Sequence, residues 1–173
     1  MFNKREFIFY GTVGVCQVSE ISKPDFSEQD RLYYYLVPKF EKDTTIYIPV
    51  GSDKVIMRKI MTRQEAEDFV QSWPAIECKE YSNYRERSQT YKLALQSGDC
   101  LQFASMIKEI SRLTPARKGR TLSTSERDVA KVARKLLFGE LAVALDLPPE
   151  EVPDYIQNQS EATDAPANLS ISF

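Results

Sequence analysis

Over residues 6–60 the apolar and aromatic positions come in short runs broken by turn residues, with a period near two. Phe7-Ile8-Phe9-Tyr10 is a β-favouring run closed by Gly11. Gly14 to Ile21 opens on a glycine and continues with strand formers, and Lys23-Pro24-Asp25 is a turn signal. Leu32 to Val37, with three tyrosines at 33–35, is the next strand. Thr44 to Val50 follows and is broken by Gly51-Ser52-Asp53, and Val55 to Ile60 supplies a fifth run. Short strands this closely spaced predict a small, strongly bent sheet or barrel rather than a βαβ unit. Pro49 cannot donate a ladder hydrogen bond, which places it at a sheet edge or strand end. An edge carrying Ile46, Tyr47 and Ile48 could accept a partner's strand, and the same residues could equally pack this module's own core.

From residue 63 the spacing becomes three and four. Thr62 with Glu65 three residues on has capping-box spacing, Phe69 and Val70 are the expected buried positions, and Trp73-Pro74 ends the helix. Residues 75–81 form a connector. A second helix spans Ser82 to Gln96 and stops at Ser97-Gly98-Asp99, where Gly98 suits a left-handed cap and Asp99 the next N-cap. Residues 100–113 continue with Leu101, Phe103, Ala104, Ile107 and Ile110 apolar. Thr114 to Thr121 is a basic loop holding Arg117, Lys118 and Arg120. Ser123 and Glu126 form a second capping box, opening a long helix through Leu136, Leu137, Leu141 and Leu145 that Pro148 and Pro149 end. From 158 the chain is polar with no basic residue and is expected to be disordered. The class is therefore α+β: a bent β-sheet or barrel module over 1–62, a short helix and connector over 63–81, an all-α module over 82–157, and a tail over 158–173.

Composition removes several functions. The chain has 173 residues, 42% hydrophobic and 28% charged, the make-up of a globular protein. No apolar run approaches the roughly 20 residues of a membrane span, and the start of the chain has no signal-peptide core, so a cytosolic protein is expected. Histidine is absent, which excludes Ser-His-Asp and Cys-His catalysis. Cys16, Cys78 and Cys100 are far apart without CxxC spacing, arguing against a disulfide framework or a zinc site. Gly11-Thr12-Val13-Gly14 lacks the spacing of a dinucleotide loop and the Lys-Ser/Thr of a P-loop, and reads as a tight turn. Glu65, Glu67, Asp68, Glu126 and Asp128 sit where helix starts favour acids and make no ligand pattern. No catalytic residue, metal or cofactor is expected.

Charge then separates the modules. Residues 1–76 carry net −1, residues 77–145 net +5, and residues 146–173 net −6. A basic block between a neutral head and an acidic end suggests nucleic-acid contact, or an ordinary solvated helical surface. Its most informative stretch is Asn83-Tyr84-Arg85-Glu86-Arg87 with Tyr91-Lys92. Cations there can bind phosphates, and an aromatic beside them can stack on a base or lean into a minor groove. A half-buried tyrosine among solvated charges has the same pattern.

The ordered set of Tyr10-Gly11 with Gly14-Val15, Tyr34-Tyr35-Leu36-Val37, Ile46-Tyr47-Ile48-Pro49-Val50, Leu95-Gln96-Ser97-Gly98-Asp99, Leu122-Ser123 with Glu126-Arg127, and Ala133 to Ala142 resembles the CarD family, also called CarD/CdnL, of bacterial transcription regulators. The resemblance covers about residues 3–157. It implies a Tudor-like N-terminal domain that binds the RNA polymerase β subunit through a sheet edge, here Ile46, Tyr47, Ile48 and Val50 with Lys23 nearby. Relatives often carry a basic residue at the place of Tyr47. It implies a helical domain touching promoter DNA, minor groove and phosphates, at the upstream edge of the melted region, where an aromatic wedge stabilises the open complex. Tyr84 falls at the wedge position, commonly tryptophan, and Ser88 replaces a family tyrosine. The implied DNA contacts are Tyr84, Arg85, Arg87 and Lys92, the loop residues Arg117, Lys118 and Arg120, and Arg127 and Lys131 on the last helix. The polymerase-interacting module of the transcription-repair coupling factor is a second context, but no Walker A motif occurs here. A monomeric bacterial regulator is expected, working in the cytoplasm at the nucleoid through RNA polymerase, with no membrane partner. Two other classes stay open: a protein-only adaptor that binds polymerase or another partner without DNA, and an enzyme of carboxylate type, which would need paired acids in a cleft that the sequence does not show.

Overall fold

The computed structural model describes residues 1–25, 31–113 and 123–164; the expected basic loop with Arg117, Lys118 and Arg120 lies outside these residues. Five strands, β1 (Phe7–Tyr10), β2 (Gly14–Ser22), β3 (Tyr33–Pro38), β4 (Ile46–Pro49) and β5 (Met57–Lys59), form one antiparallel sheet in the order β4-β3-β2-β1-β5. Alternation assigns its faces. Ile8, Tyr10, Cys16, Val18, Tyr34 and Leu36 are buried on the inner face, with Ile46 and Ile48 packed against them. A bulge between Val18 and Glu20 shifts the β2–β3 register. β4 is a sheet edge, and Pro49 closes it as its missing donor requires.

Helices follow: α1 (Arg63–Gln71), a 3-10 turn (Trp73–Ala75), α2 (Tyr84–Ser97), α3 (Cys100–Leu113), α4 (Thr124–Leu145) and α5 (Val152–Asp164). Both capping boxes form, Thr62 with Glu65 and Ser123 with Glu126. Gly98 ends α2 with φ 67°, and a Cβ there would stand 3.2 Å from the Phe9 ring, so the corner needs glycine on both counts. Lys108 on α3 donates to the Trp73, Pro74 and Ile76 carbonyls, tying down the 3-10 turn.

Three expectations change. Leu101 is exposed, because it lies across the helical wheel from Phe103, Ala104, Ile107 and Ile110, which are buried. Phe69 is only half-buried, and Ala66 joins Val70 as a buried position of α1. The polar stretch from 158 is helical as far as Asp164. Val152 and Ile156 bury one turn apart at the start of α5, and once a helix is nucleated further turns form readily. The acids after residue 145 lie on α5 or just before it, and residues 165–173 carry no charge.

The sheet and the helices share a core. Phe9 leaves the inner sheet cluster and packs among Val70, Tyr91, Phe103, Leu136 and Leu141, its ring 6.2 Å from that of Phe103. Lys135 on α4 donates to Glu41 at 2.5 Å. The strongest link is Arg58 on β5. It donates to both carboxylate oxygens of Glu140 on α4, at 2.6 and 2.7 Å, and to the Gly98 carbonyl at 3.0 and 2.8 Å. Its guanidinium lies 4.3 Å from the Phe9 ring centroid. Glu140 is 0% exposed and also accepts the Met61 N–H at 2.9 Å. A bidentate Arg–carboxylate pair with its remaining lone pairs and donors used is the arrangement in which a buried charge is tolerated. Removing one partner strands the other, so Arg58→Met should cost about 3 kcal/mol of stability. Urea unfolding checks this; a loss under 1 kcal/mol would show that the pair does not hold the two parts together.

Candidate nucleic-acid interface and sheet edge

α2 begins with a capped turn. Asn83 Oδ1 accepts the Glu86 N–H at 2.9 Å, and Glu86 Oε2 accepts the Ser82 N–H at 3.1 Å. Tyr84 is the first helical residue and is 48% exposed. With Arg85, Ser88, Gln89, Lys92, Leu93 and Gln96 it lines an open depression along the solvent side of α2. Arg85, Lys92 and Leu93 are exposed there, while Tyr91 and Ala94 face the core. An exposed ring at a helix start, flanked by two cations and short polar side chains, is suited to phosphate contact with stacking or wedging beside it.

Arg87 is not on this face. It is 9% exposed, and its guanidinium is held by the Glu126 carboxylate inside the helical part. The physical reason is phase: Arg87 falls on the buried stripe of Tyr91 and Ala94, four and seven residues further on. The same guanidinium lies 5.7 Å from the Tyr84 ring centroid, a cation–π distance. Arg87 thus sits behind the exposed tyrosine and joins the first turn of α2 to the first turn of α4. Arg127 and Lys131 are exposed on those first turns of α4, one turn apart. In the sequence Glu126 reads as a cap alone. The i, i+4, i+7 phase of Arg87 was the signal that could have marked it as internal.

Beneath this pair lies a second carboxyl. Glu109 on α3 is 8% exposed, and its Oε2 and the Tyr91 hydroxyl have no hydrogen-bond partner of good geometry among the described residues. Burial pushes the Glu109 carboxyl up, and the Tyr91 and Tyr81 hydroxyls with Arg87 only partly offset it, while Glu126 adds to it. Burial also pushes the Tyr81 hydroxyl up to about 12, with Glu109 adding to the shift. Glu126 goes the other way. Burial opposes its ionisation, but the Ser123 backbone and hydroxyl donors and the Arg87 guanidinium outweigh it and hold it below the usual range.

The sheet edge presents a different surface. Tyr47 on β4 is 44% exposed and meets the Tyr35 ring edge-on at 4.7 Å. Ile46 and Ile48 turn inward to the sheet core. Val50 lies one residue past β4, half-buried, its N–H donating to the Leu32 carbonyl at 2.9 Å. Leu32 is the next residue in register with the β3–β4 pairs, so Val50 carries the ladder one hydrogen bond past the end of β4. Lys23 is exposed just after β2. Among the described residues no group of three Cys, Asp or Glu side chains could hold a metal ion, and no helix is long and apolar enough to cross a membrane.

A carboxyl with a raised folded pKa is disfavoured when ionised and gains from protonation, so Glu109 lowers stability above its folded pKa and stops doing so below the unfolded value. Glu109→Gln, a mimic of the neutral form, should melt higher than the natural protein at pH 7. The gap should close as the pH falls to the ordinary carboxylate range near ~4. Thermal melts across pH check the sign; a lower melting temperature at pH 7 would mean that Arg87 needs this charge.

Two family models match the chain. Residues 2–61 match the CarD-like/TRCF RID domain, and residues 74–157 match the CarD C-terminal domain. No curated protein matches. The two models fall on the sheet with its β4 edge and on the helical part with its α2 face, in that order along the chain. The chain therefore belongs to the CarD family of RNA-polymerase-interacting transcription regulators.

Proposed function

We propose that the protein grips the RNA polymerase β subunit through the β4 edge and lays the α2 face on promoter DNA at the upstream edge of the transcription bubble. In doing so it changes the lifetime of the open complex. The observation that carries the DNA half is Tyr84, an exposed ring on a capped helix start, backed by a buried arginine and flanked by Arg85 and Lys92. A wedge must keep its direction while base steps unstack around it, and a ring held from behind loses little freedom when it inserts. Arg127 and Lys131 supply phosphate contacts beside it, and the loop cations Arg117, Lys118 and Arg120 lead into the start of α4 in sequence. Arg87 acts from behind, as a positioning residue. On the polymerase side, a partner segment adds to β4 as a sixth strand, and main-chain hydrogen bonds supply the affinity. No step of this asks for catalysis or a cofactor. The work takes place in the bacterial cytoplasm, at the nucleoid.

One observation favours the adaptor reading: Leu93, exposed on the same face as Tyr84, suits a protein surface better than a phosphate. A salt titration of promoter-complex formation with polymerase present separates the two, because phosphate contacts release counterions and protein contacts need not.

Stacking of an aromatic on a base is worth about 1–3 kcal/mol. Tyr84→Ala should therefore shorten open-complex lifetime by about tenfold with polymerase binding intact, and Tyr84→Trp, a larger ring, should lengthen it. An unchanged lifetime in both variants would remove Tyr84 from the wedge. Independently, Ile48→Lys in a folded protein should abolish capture of the β lobe, and retained capture would place the polymerase contact elsewhere.

A further inference from the structure

The bulge in β2 has placed an acid where alternation would not. Val18 points into the sheet core opposite Leu36, so an unbroken strand would turn Ser19 out and Glu20 in. The extra residue at the bulge resets the phase: Glu20 pairs with Tyr35, and Ile21 pairs with the buried Tyr34. Tyr35 in turn pairs with Tyr47. Glu20, Tyr35 and Tyr47 therefore form one row across β2, β3 and β4 on the outer face of the sheet. It runs from an exposed carboxylate over two rings to the free edge. The rows on either side are Gln17 with Val37, and Ser22 with Tyr33 and Pro49. No lysine or arginine occurs in any of the three rows. The Ser19 hydroxyl donates to the Tyr35 carbonyl at 3.0 Å, fastening the bulged residue to the next strand.

We propose that this row receives a cationic side chain, arginine or lysine, from the polymerase segment that adds to β4. The proposal rests on the β4 edge being the polymerase contact and names the chemistry of what docks there. Charge complementarity selects the occupant. The faces of aromatic rings attract cations and repel anions, and the row ends on a carboxylate. An acidic partner residue, the natural mate for a basic residue at the place of Tyr47, would meet a ring face and Glu20. A neutral apolar side chain could cover the rings but would leave Glu20 unused. The reach covers the rings: an added strand lies about 5 Å outside β4, so a long side chain turned back lies over Tyr47 toward Tyr35, while Glu20, about 10 Å further in on β2, draws the cation by charge across the row and not by direct contact.

The test uses the full-length protein and the recombinant β lobe of RNA polymerase from the same bacterium, with affinity measured at low and high salt. A cation over a tyrosine ring is worth about 2- to 30-fold in affinity. Tyr47→Ala should weaken binding by about tenfold, Tyr47→Phe should leave it near the natural value, and Tyr47→Arg should weaken it more than alanine does. Glu20→Gln should weaken binding by about twofold and flatten its salt dependence, as expected for a screened attraction between exposed charges. The four variants change two sites, Glu20 and Tyr47, both on the outer face; Ile48 packs inward, so a melting curve is taken for every variant, Ile48→Lys included, and only folded ones are compared. Binding that is equal or tighter with Tyr47→Arg, while Ile48→Lys still abolishes it, would show an acidic occupant and overturn the proposal with the edge intact. Insensitivity to both salt and Glu20→Gln, with Tyr47→Ala still weaker, would show an apolar occupant and overturn it likewise. Binding untouched by Tyr47→Arg and by Ile48→Lys would overturn the edge reading and this proposal together.

Discussion

Arg58 and Glu140 decide how this chain is put together. A carboxylate with no solvent exposure, in the last two turns of the longest described helix, would be a liability of several kcal/mol if unpaired. Its partner comes from the last strand of the sheet, so the charge can be buried only when β5 is docked against α4. The same guanidinium caps the end of α2 through the Gly98 carbonyl and covers Phe9. One side chain thus requires the sheet, the α2–α3 corner and α4 to be in place together. A purely apolar contact between two modules would tolerate sliding. A bidentate ion pair with fixed donors and acceptors does not.

That constraint bears on the proposed mechanism. A tether raises the effective concentration of a weak second contact only if the geometry lets both engage at once. With β5 locked to α4, the angle between the β4 edge and the α2 face is set by packing, not by a flexible linker. Arg87 with Glu126 repeats the device at a smaller scale inside the helical part, joining the Tyr84 turn to the helix start that bears Arg127 and Lys131. The two pairs differ in setting. Glu140 has every described contact satisfied by Arg58, Cys100 and Met61, whereas Arg87 shares its neighbourhood with a second carboxyl, Glu109, whose Oε2 lacks a partner.

Much of this architecture was legible in local pattern. Alternating runs located all five strands, Pro49 marked an edge, and the Thr62–Glu65 and Ser123–Glu126 spacings marked two helix starts, because each signal depends only on neighbours within four residues. What failed depended on distant partners. Arg58 read as one more charge in a β run, since nothing local announces a carboxylate 82 positions away. Arg87 read as a surface cation because its sequence neighbours are polar, although its helical phase is that of Tyr91. Leu101 erred the other way, apolar in type but on the wrong side of α3. The bulge that turns Glu20 outward is a fault in alternation, and a sequence shows alternation without showing where it slips.

The net +5 of residues 77–145 overstates what DNA can feel. Arg87 is held by Glu126, Lys108 is spent on three backbone carbonyls, and Lys135 is paired with Glu41 across to the sheet part. On the described helix faces of the proposed interface, the exposed cations are Arg85, Lys92, Arg127, Lys131 and, one turn further along the same face of α4, Arg134. Each phosphate neutralised contributes about −0.9 to the slope of log affinity against log salt, so these five contacts give about −4.5, to which the loop cations Arg117, Lys118 and Arg120 add in the proposed reading: a salt-sensitive hold that carries no sequence information. Such a surface binds duplex DNA weakly when alone. In the proposed mechanism, selectivity for a melting promoter then comes from the ring at Tyr84 and from the polymerase that places it there. This is why the rigid Arg58–Glu140 joint matters more to the proposed activity than the sum of charges on the helical face.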